Sequence, residues 1–281
     1  MQQDRQLREF IKNALVEDLG DGDHTSLACI PADKVGHVYL LVKESGVIAG
    51  VDVAKEVFRE VDEAIQMEVF IQDGSFVSPG DVVFEAHGSR ISLLAAERLL
   101  LNIMQRMSGI ATQTAKLVSI VKGSKAKLLD TRKTTPGMRF LEKQAVKIGG
   151  GENHRFGLFD MVMIKDNHID FAGGIPQAIQ RVQNYLKLHQ KNLRIEIEVR
   201  DLKELDQVLK VGGVDRIMLD NFSLPDTRTA VSLIGDLYEI EASGGITEQT
   251  IQAVAACGVD FISVGALTHQ IKSLDLSLKA K

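Results

Sequence analysis

Arg194 to Asp220 reads RIEIEVRDLKELDQVLKVGGVDRIMLD, and the fold turns on this stretch. Arg194–Val199 and Arg216–Asp220 are apolar runs of strand length, and Leu202–Leu209 between them reads as a helix. A strand, a helix and a second strand of this spacing form the crossover that a parallel pair requires. Working outward, the same rhythm recurs from residue 120 onward, with strands expected at Lys127–Asp130, Met161–Lys165, Tyr238–Ala242 and Phe261–Gly265. Further helices are expected at Ile175–Leu188 and Glu248–Ala256. Right-handed crossovers leave two architectures, an open doubly wound sheet or a closed (β/α) barrel.

The strand ends favour the barrel. Five of the six strands finish on or next to a residue that chemistry can use, namely Asp130, Lys165, Glu198, Asp220 and Ser243, and the sixth ends in Gly265. In a barrel these carboxyl ends converge on one mouth, whereas the outer strands of an open sheet lie too far from its switch point to contribute. Because six strands fall short of the usual eight, the expectation is an incomplete (β/α) barrel of about six parallel strands, spanning 111–266.

Residues 1–110 have a different rhythm and read as an N-terminal α+β domain. Leu7, Phe10, Ile11, Ala14 and Leu15 recur at helical spacing. Val35 to Val42 reads as a strand, Val53, Val57, Phe58 and Val61 as a helix, and Met67, Val69 and Ile71 alternate. Ser78-Pro79-Gly80-Asp81 marks a tight turn before Val82. From Ser89 to Val121 a long helical stretch is interrupted at Ser108-Gly109, taken as the domain joint. A C-terminal helix, 267–281, is expected to rejoin the first domain. The fold class is thus α/β.

Composition narrows the function. A net charge of −5 over 281 residues argues against the broad basic surface that nucleic acid requires. Cys29 and Cys257 form neither a CxxC nor a disulfide framework, and no segment approaches the roughly 18 apolar residues of a membrane span. The polar N-terminal stretch lacks the apolar core of a signal peptide. The chain is therefore expected to be soluble and cytoplasmic, with no nucleic-acid or membrane partner.

Against this acidic background, Leu128–Ile169 carries seven Lys/Arg and five Asp/Glu. Arg132 and Lys133 follow Asp130, His154 and Arg155 follow Gly149-Gly150-Gly151, and Lys165 ends a strand. Arg offers a planar fork for carboxylate or phosphate and Lys a compact charge, so these cations read as a site for a small polyanion. Ser243-Gly244-Gly245 before Ile246-Thr247-Glu248, and Val264-Gly265-Ala266 one strand later, read as a phosphate cradle with a capping-box-like helix start. Glu198 and Asp220, at the ends of neighbouring strands, could hold Mg²⁺ with substrate oxygens completing its shell. The weaker alternative is that Glu196 and Glu198 are both ordinary polar strand positions. A resident transition-metal site has no HxxxH or Cys/His cluster to support it.

Six runs bear a family resemblance: LLDTRKTTPGMR (128–139), GGGENHRFGL (149–158), MIKDNHI (163–169), IMLDNF (217–222), EASGGI (241–246) and ISVGAL (262–267). They resemble the quinolinate phosphoribosyltransferases, also called nicotinate-nucleotide pyrophosphorylases (carboxylating), and the likeness extends through EDLGDGDHTS (17–26) and AERLLLNIMQRMSGIAT (96–112). The resemblance implies an N-terminal α/β domain with an incomplete barrel and at least a homodimer. It implies transfer of phosphoribose from 5-phosphoribosyl-1-pyrophosphate to quinolinate, with Mg²⁺, releasing pyrophosphate and CO₂ to give nicotinate mononucleotide in de novo NAD biosynthesis. Carried over by motif, Arg132, His154, Arg155 and Lys165 hold quinolinate, with Thr131 and Lys133 near the shared substrate centre, and Arg98 reaches the neighbouring subunit's site. Glu198 and Asp220 face the ribose and the metal, and with Lys133 form the implied catalytic set. Ser243, Gly244, Gly245, Gly265, Ala266 and Leu267 hold the 5-phosphate.

Two departures are visible: Glu152 puts an acid in the glycine-rich anion loop, and Gly212-Gly213 lengthens the connection before Asp220. Other classes stay open on the residues alone. A Schiff-base barrel aldolase would also use a strand-end Lys such as Lys165. A phosphoribosyltransferase-like paralogue of molybdenum transport shares the fold, and a non-catalytic anion-binding protein would keep the cations without the chemistry.

Overall fold

The computed structural model describes residues 2–281. They form two compact units. The first contains the chain up to Ala115 together with Thr135–Gly150 and Gln270–Lys281; the second contains Lys116–Thr134 and Gly151–His269.

The first unit opens with α1 (Gln2–Leu19) and α2 (His24–Cys29), followed by β1 (Val35–Val42), β2 (Gly46–Val47), α3 (Val51–Val61), β3 (Gln66–Val69), β4 (Phe76–Val77) and β5 (Val82–Ser89). Period-two patterning buries Val38, Leu40 and Val42 of β1, while α3 buries Val53, Ala54, Val57 and Phe58. Phe58 meets Phe84 of β5 edge-on, with ring centroids 6.0 Å apart, the geometry that ring quadrupoles favour. Next comes α4 (Arg90–Ile120), a helix of 31 residues whose end, from Lys116, belongs to the second unit.

That helix corrects the expected interruption, because Ser108 and Gly109 lie inside an unbroken α4. A side chain at position 109 would collide with the Lys272 carbonyl, so the glycine permits a close backbone approach instead of a break. Ser108 is also committed to packing: its hydroxyl receives the Ala49 amide at 2.9 Å.

The second unit contains β6 (Lys127–Leu129), β7 (Val162–Ile164), β8 (Ile195–Val199), β9 (Arg216–Asp220), β10 (Glu239–Ser243) and β11 (Phe261–Ser263). The helix between β6 and β7, α5 (Arg139–Ile148), is counted in the first unit. The later connections carry α6 (Asp166–Ala172), α7 (Ile175–Leu188), α8 (Leu202–Val211), α9 (Leu224–Ile234), α10 (Ile251–Ala255) and α11 (Ala266–His269). All strand pairs are parallel, in the order β6-β11-β10-β9-β8-β7.

This is the expected incomplete barrel. Sequential strands are neighbours and the first pairs with the last, so among the described residues only β6 and β7 leave the cylinder unclosed. Glu152 partly covers the β6 edge, giving its amide to the Leu128 carbonyl at 2.8 Å and accepting from the Asp130 amide at 3.2 Å.

The tail differs from the expected helix over 267–281. Only α11 is helical there, and β12 (Leu276–Ala280) pairs antiparallel with β1 in a sheet ordered β12-β1-β5-β3. The alternation of Leu274, Leu276 and Leu278, all buried, is a strand signal. The helix expected from Glu248 also begins later, at Ile251. Thr247 and Thr250 instead close a turn, the Thr247 amide donating to Thr250 Oγ1 at 2.9 Å, so Thr247 and Glu248 form no capping box.

Candidate active site

Strand register fixes which side chains share the barrel interior. Glu196 stands opposite Arg216, Arg216 opposite Glu239, and Asp220 opposite Ser243. Since successive side chains alternate between faces, Glu196, Glu198, Arg216, Asp220, Glu239, Glu241 and Ser243 line one face. Ile195, Ile197, Val199, Ile217 and Leu219 line the other, where all are buried. Glu196 and Glu241 are 0% exposed. The reading of Glu196 as an ordinary polar position therefore fails: in this barrel the polar face of the alternating strand points inward.

These buried charges form a network. Arg216 gives Nη1 to Glu241 at 2.9 Å and Nε to Glu239 at 2.9 Å, with its guanidinium 3.9 Å from the Phe261 ring centroid. His154 Nε2 lies 3.0 Å from Glu196 Oε2 and 3.5 Å from Glu241 Oε2. Apart from that ion-pair contact, neither Glu196 oxygen has a hydrogen-bond partner among the described residues. The histidine backbone is anchored too, its amide donating to Asp130 Oδ1 at 2.9 Å. Asp130, at the end of β6, thus positions a cation from the next segment of chain.

Burial disfavours a charge on His154, but the two carboxylates outweigh it and raise its pKa to about 9. The Arg155 amide approaches Nδ1 at 2.7 Å, which favours the opposite, neutral ring. Two carboxylates at 3.0 and 3.5 Å outweigh that single neutral contact, because charges attract strongly where water is excluded, and they favour the imidazolium form at neutral pH. Burial pushes Glu241 up, but contact with His154 and Arg216 brings it below the usual carboxylate range. Glu196 is raised, by burial first and then by the neighbouring Glu241.

Above this layer lie the expected cations. Burial, and next the proximity of Arg132, lower the pKa of Arg155, so the two guanidiniums crowd each other as an anion site demands. Arg155 also donates to the Met161 carbonyl at 3.2 Å. Thr131 Oγ1 receives the Lys133 amide at 3.0 Å, and the Lys133 carbonyl accepts from Thr268 Oγ1 at 2.8 Å. This ties the loop after β6 to α11, and a Cβ built on Gly265 would stand 3.3 Å from Lys133 Cδ. Lys165 Nζ contacts Glu198 Oε2 at 2.5 Å, joining a residue expected to bind quinolinate to one expected to face ribose and metal.

The glycine loops are backbone-determined. Gly244 (φ +94°) and Gly245 (φ +58°) both occupy the left-handed region, which residues with a Cβ rarely enter. A Cβ at 244 would strike the Asn221 amide group. Asn221, itself at φ +55°, donates Nδ2 to Asp220 Oδ2 at 2.8 Å and its backbone amide to the Ser243 carbonyl at 2.9 Å. It thereby couples Asp220 to the 243–245 loop, a role sequence reading missed. The available signal was an Asn directly after a strand-ending Asp, since Asn tolerates this conformation better than most. Leu267 is fully buried and its amide goes to Val264 at 3.3 Å. Arg98 is exposed on α4, in the first unit.

Family models match both parts of the chain: quinolinate phosphoribosyl transferase, N-terminal domain, over residues 23–108, and its C-terminal domain over 110–279. The chain belongs to the quinolinate phosphoribosyltransferase family. Among its relatives, it is 46% identical to the chloroplastic nicotinate-nucleotide pyrophosphorylase [carboxylating] of Arabidopsis thaliana, covering 97% of this chain and 82% of that one. It is 41% identical to the probable nicotinate-nucleotide pyrophosphorylase [carboxylating] of Bacillus subtilis, covering 97% and 93%. The solved structure of NadC from Streptococcus pyogenes is similar at a TM-score of 0.93 and 40% identity, covering 98% of this chain and 97% of that one. Quinolinate phosphoribosyltransferase membership across both domains sets aside the aldolase reading, which drew only on Lys165 and a phosphate loop. Among the described residues no helix is long and apolar enough to cross a membrane.

Proposed function

We propose that this chain transfers phosphoribose from 5-phosphoribosyl-1-pyrophosphate to the ring nitrogen of quinolinate and removes CO₂, yielding nicotinate mononucleotide and pyrophosphate for de novo NAD biosynthesis. One observation carries the reading: a chain matched over both family domains keeps Arg132, Lys133, His154, Arg155 and Lys165 on strand ends and adjoining loops of one barrel.

In this reading Arg132, His154, Arg155 and Lys165 receive the two ring carboxylates, and Lys133, beside Gly265, serves both substrates. Ser243, Gly244, Gly245, Gly265 and Ala266 take the 5-phosphate, while Leu267 supports them from the core. As pyrophosphate leaves, positive character at the anomeric carbon is stabilised by Glu198 and Asp220. The pyridine nitrogen attacks, and its quaternisation lets the adjacent carboxylate depart as CO₂, because the ring carbanion sits beside a positive charge; that carbon then takes a proton from water to complete the mononucleotide. Alignment of the two substrates is the main contribution, with no covalent enzyme intermediate.

The donor set fits Mg²⁺ as an ion that travels with the pyrophosphate. Glu198 and Asp220 are hard oxygen donors two residues apart in strand register, and Mg²⁺ is commonly held by one or two carboxylates plus phosphate oxygens. Asp220 is the more open of the two, since Glu198 is paired with Lys165. The ion would supply charge neutralisation on the leaving group.

We further read the working form as at least a homodimer in which Arg98 of a second copy completes the site. Two free thiols, Cys29 and Cys257, suit the reducing cytoplasm to which we assign the chain.

The test is an assay with quinolinate, phosphoribosyl pyrophosphate and Mg²⁺ that follows CO₂ and mononucleotide, with nicotinate as control. Quinolinate should turn over with one CO₂ per mononucleotide. Turnover of nicotinate alone, or full activity in Arg132→Ala and Arg155→Ala, would overturn the assignment.

A further inference from the structure

Stability alone does not account for the charge layer inside the barrel. Burying ions is costly, and an apolar set of similar volume is often as stable or more so. Yet this barrel places Glu196, Glu241 and Arg216 where aliphatic side chains would fill the same space; the two glutamates converge on the His154 ring, and Arg216 binds Glu241. The His154, Glu196 and Glu241 donor atoms lie within 4.8 Å of one another. Arg216, bound to Glu241 at 2.9 Å, already provides the cation that a bare carboxylate pair would take from a metal.

We propose that Glu196 and Glu241, with Arg216 anchoring Glu241, are positioning residues for the reaction: from inside the barrel they hold the His154 imidazole in one orientation and keep it cationic for a substrate carboxylate. The proposal rests on the reading of His154 as a quinolinate-binding residue. The charged groups placed around the ring come from four elements. Glu196 comes from β8 and Glu241 from β10, Arg216 of β9 sits behind Glu241, and Asp130 at the end of β6 holds the His154 amide. Arg155, next in the chain, is a cation beside the ring that opposes its charge, and it too needs an anion close by.

A histidine without such support titrates near 6.5 and would lose its charge within the physiological range. Here its pKa stands at about 9, so the positive charge is retained throughout that range. The two glutamates are sealed from solvent; their contact with the site runs through the His154 ring, with a weaker electrostatic pull of Glu196 on Arg155.

The experiment uses the full-length protein with ¹⁵N-labelled histidine, its spectrum assigned by comparison with His154→Gln, and follows the ring titration in wild type, Glu196→Gln, Glu241→Gln and the double variant. Quinolinate KM and phosphoribosyl pyrophosphate KM are measured over the same pH range. Expected is a fall of the His154 titration from about 9 toward 6.5 in the Gln variants, largest in the double variant. Quinolinate KM at pH 8 should then rise about tenfold or more, following the lost cation, while phosphoribosyl pyrophosphate KM changes less than about twofold. Glu241→Asp, which keeps the charge, should recover most of the loss. An unmoved ring titration in folded variants, or an equal rise of both KM values, overturns the proposal. The titration is read without substrate, so it decides this inference even if the wild-type protein proves inactive on quinolinate.

Discussion

Arg216 of β9 and Glu241 of β10 are hydrogen-bonded at 2.9 Å inside the barrel, with Glu241 0% exposed. Removing the guanidinium strands a buried carboxylate next to Glu196, and breaking one side of such a pair costs about 3–5 kcal/mol. Arg216→Met should therefore lose stability on that scale in urea unfolding followed by circular dichroism. The paired replacement Arg216→Met with Glu241→Leu should recover part of it, since no lone charge is left behind. A single-variant loss below about 1 kcal/mol would show that water reaches Glu241.

His154 makes stability pH-dependent with a definite sign. Its folded pKa of about 9 lies above the ordinary 6.5, so the folded state holds a proton that the unfolded chain releases between those values. This stabilisation is fully present below about pH 6.5 and is lost as pH rises to 9. Its full size is on the order of 3 kcal/mol. Unfolding free energies between pH 6 and 9.5 should slope downward in wild type and slope less in His154→Gln. Parallel curves for the two proteins would contradict it.

How far the sequence carried depends on which physics wrote each feature. The barrel was legible because β8 to β11 are short runs, alternating or apolar, that stop on or beside polar residues, a pattern set by local alternation and by where strands stop. The register row Glu196, Arg216, Glu239 was not, because a charged residue in an alternating strand looks the same whether its face meets water or the inside of a cylinder. Gly109 was misread as a break for a similar reason: helix propensity is local, whereas the collision with Lys272 that requires glycine involves residues far apart in the chain. The cations from Arg132 to Lys165 stood out by sign alone. Asn221, neutral and adjacent to a more conspicuous acid, did not.

Gly244 and Gly245 separate two kinds of glycine requirement. Both need positive φ, but only at 244 would a Cβ strike Asn221, while nothing lies within 4 Å of one at 245. Gly245→Ala should cost about 1 kcal/mol, the strain of the left-handed region alone. Gly244→Ala should in addition displace Asn221 and with it Asp220, raising phosphoribosyl pyrophosphate KM about tenfold or more while quinolinate affinity changes little. Equal effects of the two substitutions would remove the argument for Asn221 as the coupling residue.

Arg98 provides the test of a shared site. It is exposed on α4, a position where a lone arginine is otherwise tolerant of replacement. Arg98→Ala and Arg132→Ala should each be nearly inactive, yet still fold and assemble. Mixed at equal concentration and allowed to exchange subunits, they form mixed dimers in about half of the population. Two-fold symmetry gives each mixed dimer one site with both arginines missing and one site with both intact. The mixture should therefore regain about a quarter of wild-type activity, read as CO₂ release after subunit exchange and checked by light scattering for dimer mass. If Arg98 instead served the site of its own chain, every site in the mixture would lack one arginine and no activity would return.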